Sequence, residues 1–419
     1  MCNKGSLDTF LCIFVIDNSF IILFIYNIFY TYFINIYKYL INLFILNNLL
    51  LYFIYNLMDR YLIDDKRTLF TNITFSNYQK SKVRTELLKC IYDSRVENSI
   101  YWSAELICSG HYIDLWDIII LYYVKYIHIS NPKLSIYISM RFNNFKTIIE
   151  NGYTNNILSM RNNSKIRKLF GEVICVLCYS QKRPAIETFK INKQTDYDLT
   201  KLQERLTAPN INYINPIYKD DDPKELFIPV NELIYAVETN NQINIFYWIE
   251  WILEYELRLK KEHKNCIAET RLYAPTEFRH DIIWIIWDII FYYCKNNTLL
   301  QSHYIKFTND TQKALKLKII SNLLELFIIR YNSNVKRRRK LILYFAFNLL
   351  FEIIDVNTVI INDEIKKHIN VIIPKIDLIY KQIKQNEISS NTDYLFKDIK
   401  QQNLERSINK LEKMEQILQ

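Results

Sequence analysis

At 419 residues the chain is long enough for two or three domains of ordinary size and for a substantial buried core. Half of its residues are hydrophobic and 15% are aromatic, which excludes a chain that stays unfolded in water. Four glycines and eight prolines argue against tight β-hairpins and phosphate-cradling loops and in favour of long helices, while a net charge of +9 allows a polyanion partner without demanding one.

Residues 1–57 stand apart from the rest. From 10 to 57 the chain is almost wholly Phe, Ile, Leu, Tyr and Asn, with Asp17 and Lys38 as its charges, and it is long enough for two membrane passes of about 20 residues each. Three readings are open. One is a membrane anchor, with Arg60, Lys66 and Arg67 setting the body on the cytoplasmic side. Another is translated upstream DNA ahead of a start at Met58, preferred because an ordinary amphipathic pattern begins there. The third is a buried apolar hairpin.

A first helical unit is expected over 58–183. After a polar lead-in, the spacing of apolar residues predicts helices over 78–93, 96–109 and 114–129, then from just after Pro132 to about 151, and over 165–180. Gly110 falls where the second of these must turn left-handed, Asn131-Pro132 closes the third, and Gly152 stops the fourth.

Residues 184–230 hold five of the eight prolines and the acidic run Asp220-Asp221-Asp222, and are read as an irregular connection. A second helical unit then spans 231–390, with helices over 231–237, 242–261, 281–295, 311–331, 336–354 and 363–385, the last bent at Pro374. Within it Trp248/Trp251 and Trp284/Trp287 are pairs spaced i, i+3, so each pair shares one helical face. Core faces packed against each other are expected, with a base-stacking platform as the alternative.

A C-terminal polar helix in 391–419, running from about 393 to 418, carries Leu404, Ile408, Leu411, Met414 and Leu418 as a seam that either docks on the body or pairs with another chain. The fold class expected is all-α: an irregular multi-helix bundle in two packed units behind a hydrophobic N-terminal segment.

No catalytic signature is legible. The chain has no P-loop, dinucleotide or nucleophile-elbow motif, its six histidines form no HExxH pair, and no cofactor or metal is expected. The eight cysteines are scattered, which fits a reducing compartment, and the single CxxC, Cys175 and Cys178, lies in an apolar helix where buried packing is the expected role. His111 and Asp114 are expected to share a capping or surface hydrogen bond.

One charge cluster supports a binding hypothesis. Lys336, Arg337, Arg338, Arg339 and Lys340 are five like charges in a row at a helix start, where the macrodipole disfavours cations. A phosphate backbone would offset both costs, so nucleic acid is the expected ligand, beside a solvated charged face or a nuclear import signal.

The order Ser94 to Tyr101-Trp102-x-Ala104, Gly110, Ile129 to Asn131-Pro132-x-Leu134, Gly171-Glu172 and Ser180-x-Lys182 resembles the helical collar domain of the recombination ATPases in the clamp-loader clan, without the ATPase module that precedes the collar there. The resemblance implies a helical assembly or DNA-transaction module that does not hydrolyse ATP. More of the body, from 78 to 385, with YWSAELICSG, DDPKELF, YWIEWI, RHDIIWIIWD and the basic run, is similar to an uncharacterised family of nucleocytoplasmic large DNA viruses. That similarity implies a viral origin and a place in the host cytoplasm, in a virus factory, or in the nucleus.

Together these readings lead to the expectation of a non-enzymatic viral binding or scaffold subunit in DNA replication or transcription. Its partners would be nucleic acid and other viral replication or transcription proteins. The alternative is a membrane-anchored viral structural or factory protein using residues 10–57.

Overall fold

Among the described residues, runs in which apolar side chains recur every three or four positions form helices. The computed structural model describes residues 62–388, apart from 66, 68, 155, 193–194 and 297–309. The apolar stretch 10–57 and the C-terminal seam of 393–418 lie outside the described residues. By its internal contacts the chain divides into Met1–Leu62 and Ile63–Gln419, and the helices described below all belong to the second part.

The first helices are α1 (Lys80–Tyr92), α2 (Val96–Cys108), α3 (Tyr112–Tyr122), α4 (Leu134–Glu150) and α5 (Ser164–Tyr179). Gly110 ends α2 as its position demands. At φ +76° it donates its amide to Ile107 O while His111 donates to Leu106 O, which satisfies two carbonyls at the helix terminus. Gly152, at φ +119°, closes the turn after α4 in the same conformational region.

The third predicted helix departs from expectation, because after Tyr122 the coil widens into a π-turn over Tyr123–Ile127 and then a 3-10 turn over His128–Ser130. The carbonyls of Lys125 and Tyr126 are turned to accept the amides of Ile186 and Arg183, so the chain after α5 is stitched along this turn.

The proline-rich connection contains one short helix, α6 (Leu199–Gln203), and isolated 3-10 turns. It is tied down by Asp222, buried between the Arg271 guanidinium and the amides of Lys219 and Glu269. The next helix begins earlier than expected: α7 (Phe227–Glu238) takes Pro229 into its first turn, where no intrahelical amide bond is required.

Then follow α8 (Gln242–Lys261), α9 (Ile283–Lys295), α10 (Asp310–Ile328), α11 (Val335–Arg338), α12 (Lys340–Phe351), α13 (Asp363–Ile372) and α14 (Ile376–Lys384). The last two are separated by a 3-10 turn at Pro374. The fold is all-α. Among the described residues the only extended pairing is a single bridge between Ile73 and Gln79.

One hydrophobic core runs through both halves of the sequence, with α4 packed on α10, the π-turn on α12, and α2 and α5 on α14. Where α14 packs on α5, Gly171 leaves no room for a side chain: a Cβ there would fall 2.0 Å from Ile376 Cδ1. All four tryptophans of the two pairs are buried. Their ring contacts differ, however, since Trp248 and Trp251 meet Tyr247, Tyr197 and Tyr255, while Trp284 and Trp287 meet Tyr273, Phe291, Phe327 and Tyr331. Each pair therefore anchors a separate aromatic cluster.

Candidate anion-binding groove

The basic run lies where α10 ends and α12 begins, and it is divided by the helical period. Lys336 and Arg339, three residues apart, share the inward face. Lys336 is fully buried, its Nζ 2.5 Å from Glu256 and 2.6 Å from Asp281, and Asp281 also accepts the Tyr331 hydroxyl at 2.8 Å. Arg339 is buried as well. Its guanidinium binds Asp117 at 2.6 Å and donates to the carbonyls of Phe327 and Ile329. Those carbonyls are at the C-terminal end of α10, where the macrodipole favours a cation.

An outward patch of five cations is therefore corrected to three. The helix-start cost anticipated for the run is met by internal carboxylates and by a neighbouring helix end. Burial pulls the Arg339 guanidinium below the ordinary arginine value, opposed by Asp117 beside it.

Arg337, Arg338 and Lys340 face the other way. Arg337 donates to Leu253 O at 2.8 Å, and Lys340 lies 2.6 Å from Glu250, which also accepts the Tyr344 hydroxyl. Arg338 is the most open, its side chain 52% exposed and its nearest carboxylate, Asp117, at 3.7 Å.

These three residues form one wall of a groove of about 570 Å³. The other wall is the π-turn with Lys125 and the stitched segment Ala185, Ile186, Glu187 and Thr188. The lining thus sets four cations, Lys125, Arg337, Arg338 and Lys340, beside one carboxylate, Glu187.

Sequence reasoning located one wall and missed the other. Lys125 sits in an apolar helix more than two hundred positions away in sequence, and the π-turn that presents it is set by hydrogen bonds to 183–186. No periodicity in the sequence marks that turn.

The other expected sites are structural. Cys175 and Cys178 are buried, and burial pushes their thiols up to about 12 and about 11, well away from nucleophilic or metal-binding character at neutral pH. His111 Nδ1 lies 3.7 Å from Asp114 while its Nε2 meets Ile73 O at 3.2 Å, and Lys80 also reaches Asp114, so this group ties α1 and α3 to the lead-in. Among the described residues no group of three or more His, Cys, Asp or Glu side chains is placed to hold a metal ion, and no helix is long and apolar enough to cross a membrane.

No protein-family model, curated protein or solved structure matches the chain.

Proposed function

We propose that the chain is a non-enzymatic helical binding or scaffold subunit that contacts the phosphate backbone of nucleic acid through Lys125, Arg337, Arg338 and Lys340. The observation that supports this reading is the groove itself, lined by four cations from two distant parts of the sequence and one carboxylate, Glu187, with Lys340 also paired to Glu250 and Arg338 3.7 Å from Asp117. Phosphates laid along it would neutralise these charges and release counterions, which makes binding fall with salt. A role in viral DNA replication or transcription, beside other proteins of that machinery, follows from the sequence resemblances and is part of the same proposal.

The test is salt-dependent binding of the full chain to DNA and RNA, repeated with Lys125→Gln and Arg338→Gln. Each lost phosphate contact is expected to take about one unit off the slope of log affinity against log salt. Binding that is absent, insensitive to salt, or unchanged in the double variant overturns the proposal.

A second reading, a membrane-anchored structural or factory protein, is favoured by the apolar composition of 10–57. Fractionation separates the two: membrane recovery of the full chain, but not of a chain begun at Met58, supports the anchor.

A further inference from the structure

The helix α1 links the anion-binding groove to a pair of exposed rings at its other end. At the C-terminal end of α1, Tyr92 is 52% exposed and meets the Tyr126 ring edge-on at 5.2 Å. The Lys125 ammonium lies 5.2 Å from the centre of the same Tyr126 ring, and Lys125 is part of the groove wall, so an exposed ring stands beside the groove. Arg183, also exposed, is held there by its amide, which donates to Tyr126 O at 2.7 Å. The carboxylate at this end, Asp93, is paired with Arg95 at 2.9 Å.

Along α1 the helical spacing carries positive charge away from Tyr92. Lys89 and Lys82, three and ten residues back, are exposed and share its side of the helix, with half-buried Glu86 between them. At the N-terminal end Lys82 and Glu86 line a trough of about 480 Å³ together with Tyr78 and Trp102. Tyr78 is 43% exposed and meets Trp102 edge-on at 5.4 Å. The same two rings line a second trough, of about 590 Å³, with Asn98, Gln382 and one charge of each sign, Lys375 and Glu97. They therefore form a ridge between two open spaces. The thirteen residues of α1, at about 1.5 Å each, set this ridge about 20 Å from Tyr92.

Rings serving the core alone are buried, as five of the six tryptophans are, whereas Trp102 is partly exposed. Exposed rings alternating with cations suit a strand that offers phosphates and unpaired base faces together. A duplex offers the phosphates but keeps its base faces stacked inside. We infer that the ligand is single-stranded nucleic acid, running from the groove along α1 with bases stacked on Tyr92 and on the ridge of Tyr78 and Trp102. This rests on the reading of the groove as a phosphate site and narrows it to one class of strand.

Binding of the full chain to labelled oligothymidylate and oligouridylate of about 20 nucleotides, which separate DNA from RNA, and to a duplex of the same length tests this by fluorescence anisotropy. Tyr92→Ala and Tyr78→Ala, both at exposed positions, are each expected to weaken single-strand binding roughly fivefold to a hundredfold and to leave duplex binding within about twofold. Losses that are absent, or equal on both forms, overturn the inference. So does a parent that binds duplex alone, in which case the phosphate groove stands; a parent that binds neither form removes that reading as well. A second measurement uses tryptophan emission, because a stacked base quenches an indole and Trp102 is the one that is not buried. Saturation with the strand that binds is expected to lower the emission of the parent and to leave that of Trp102→Phe unchanged. Emission that does not fall, or that falls equally in Trp102→Phe, overturns the inference.

Discussion

The junction between α2 and α3 and the junction between α11 and α12 are determined in different ways. The first junction is set by its own residues: Gly110 turns left-handed, and the amides of Gly110 and His111 close on the last turn of α2. The second junction is set from outside. At Arg339 the coil is interrupted where its guanidinium reaches the end of α10 and Asp117, and one turn earlier Lys336 is drawn between Glu256 and Asp281. Partners for these two cations come from four separate places in the sequence. A run of like charge is thus no guide to a charged surface, because the helical period turns members three apart to the same side and buried carboxylates select among them.

The largest test of this contrast is Lys336→Met. If the basic run is held from outside, leaving Glu256 and Asp281 buried without their cation should cost about 3–5 kcal/mol. Urea unfolding followed by circular dichroism measures it, and a near-neutral result would mean that α11 is held by local sequence after all.

Next is Asp222→Asn, which removes a buried partner of Arg271 from the proline-rich connection and is expected to cost about as much or somewhat less, roughly 3 kcal/mol. Its pH dependence sharpens the point. Burial alone would raise the Asp222 carboxyl, but the Arg271 guanidinium and two backbone amides hold it below the ordinary aspartate value. A carboxyl depressed in the folded state contributes stability that is fully present above its unfolded pKa, about 3.9, and is lost as pH falls through the lower folded value. Chemical denaturation of the parent from pH 7 down should therefore show this contribution fading only below about pH 4, whereas the variant should lack it at every pH.

Smaller is Gly110→Ala. A Cβ at φ +76° is strained and would meet Leu158 Cδ1 at 3.1 Å, so a loss of about 1–2 kcal/mol is expected by thermal unfolding. A smaller loss would weaken the claim that α2 ends by its own sequence. Smallest is Arg338→Gln, expected to change stability by less than about 0.5 kcal/mol because its side chain is half exposed and its carboxylate distant. The same substitution should lower nucleic-acid binding, which separates the outward members of the run from Lys336 and Arg339.

The candidate site was legible to a different degree on each wall. Arg337, Arg338 and Lys340 stood out as charge against an apolar background, whereas Lys125 did not, being one cation in an apolar helix whose π-turn depends on amides from 183–186. The tryptophan pairs were legible as buried faces, but their partners were not, since spacing along one helix says nothing about which neighbour meets it.

By itself the sequence determined the helices, most of their ends and the sides they bury, because the 3.6-residue period, left-handed glycines and prolines act over a few residues. Tertiary structure alone decided which cations face water, where α3 loosens, that Pro229 falls inside a helix, and that both halves share one core. Those outcomes depend on carboxylates, carbonyls and side-chain volumes brought together from distant segments, and short-range rules carry no information about them.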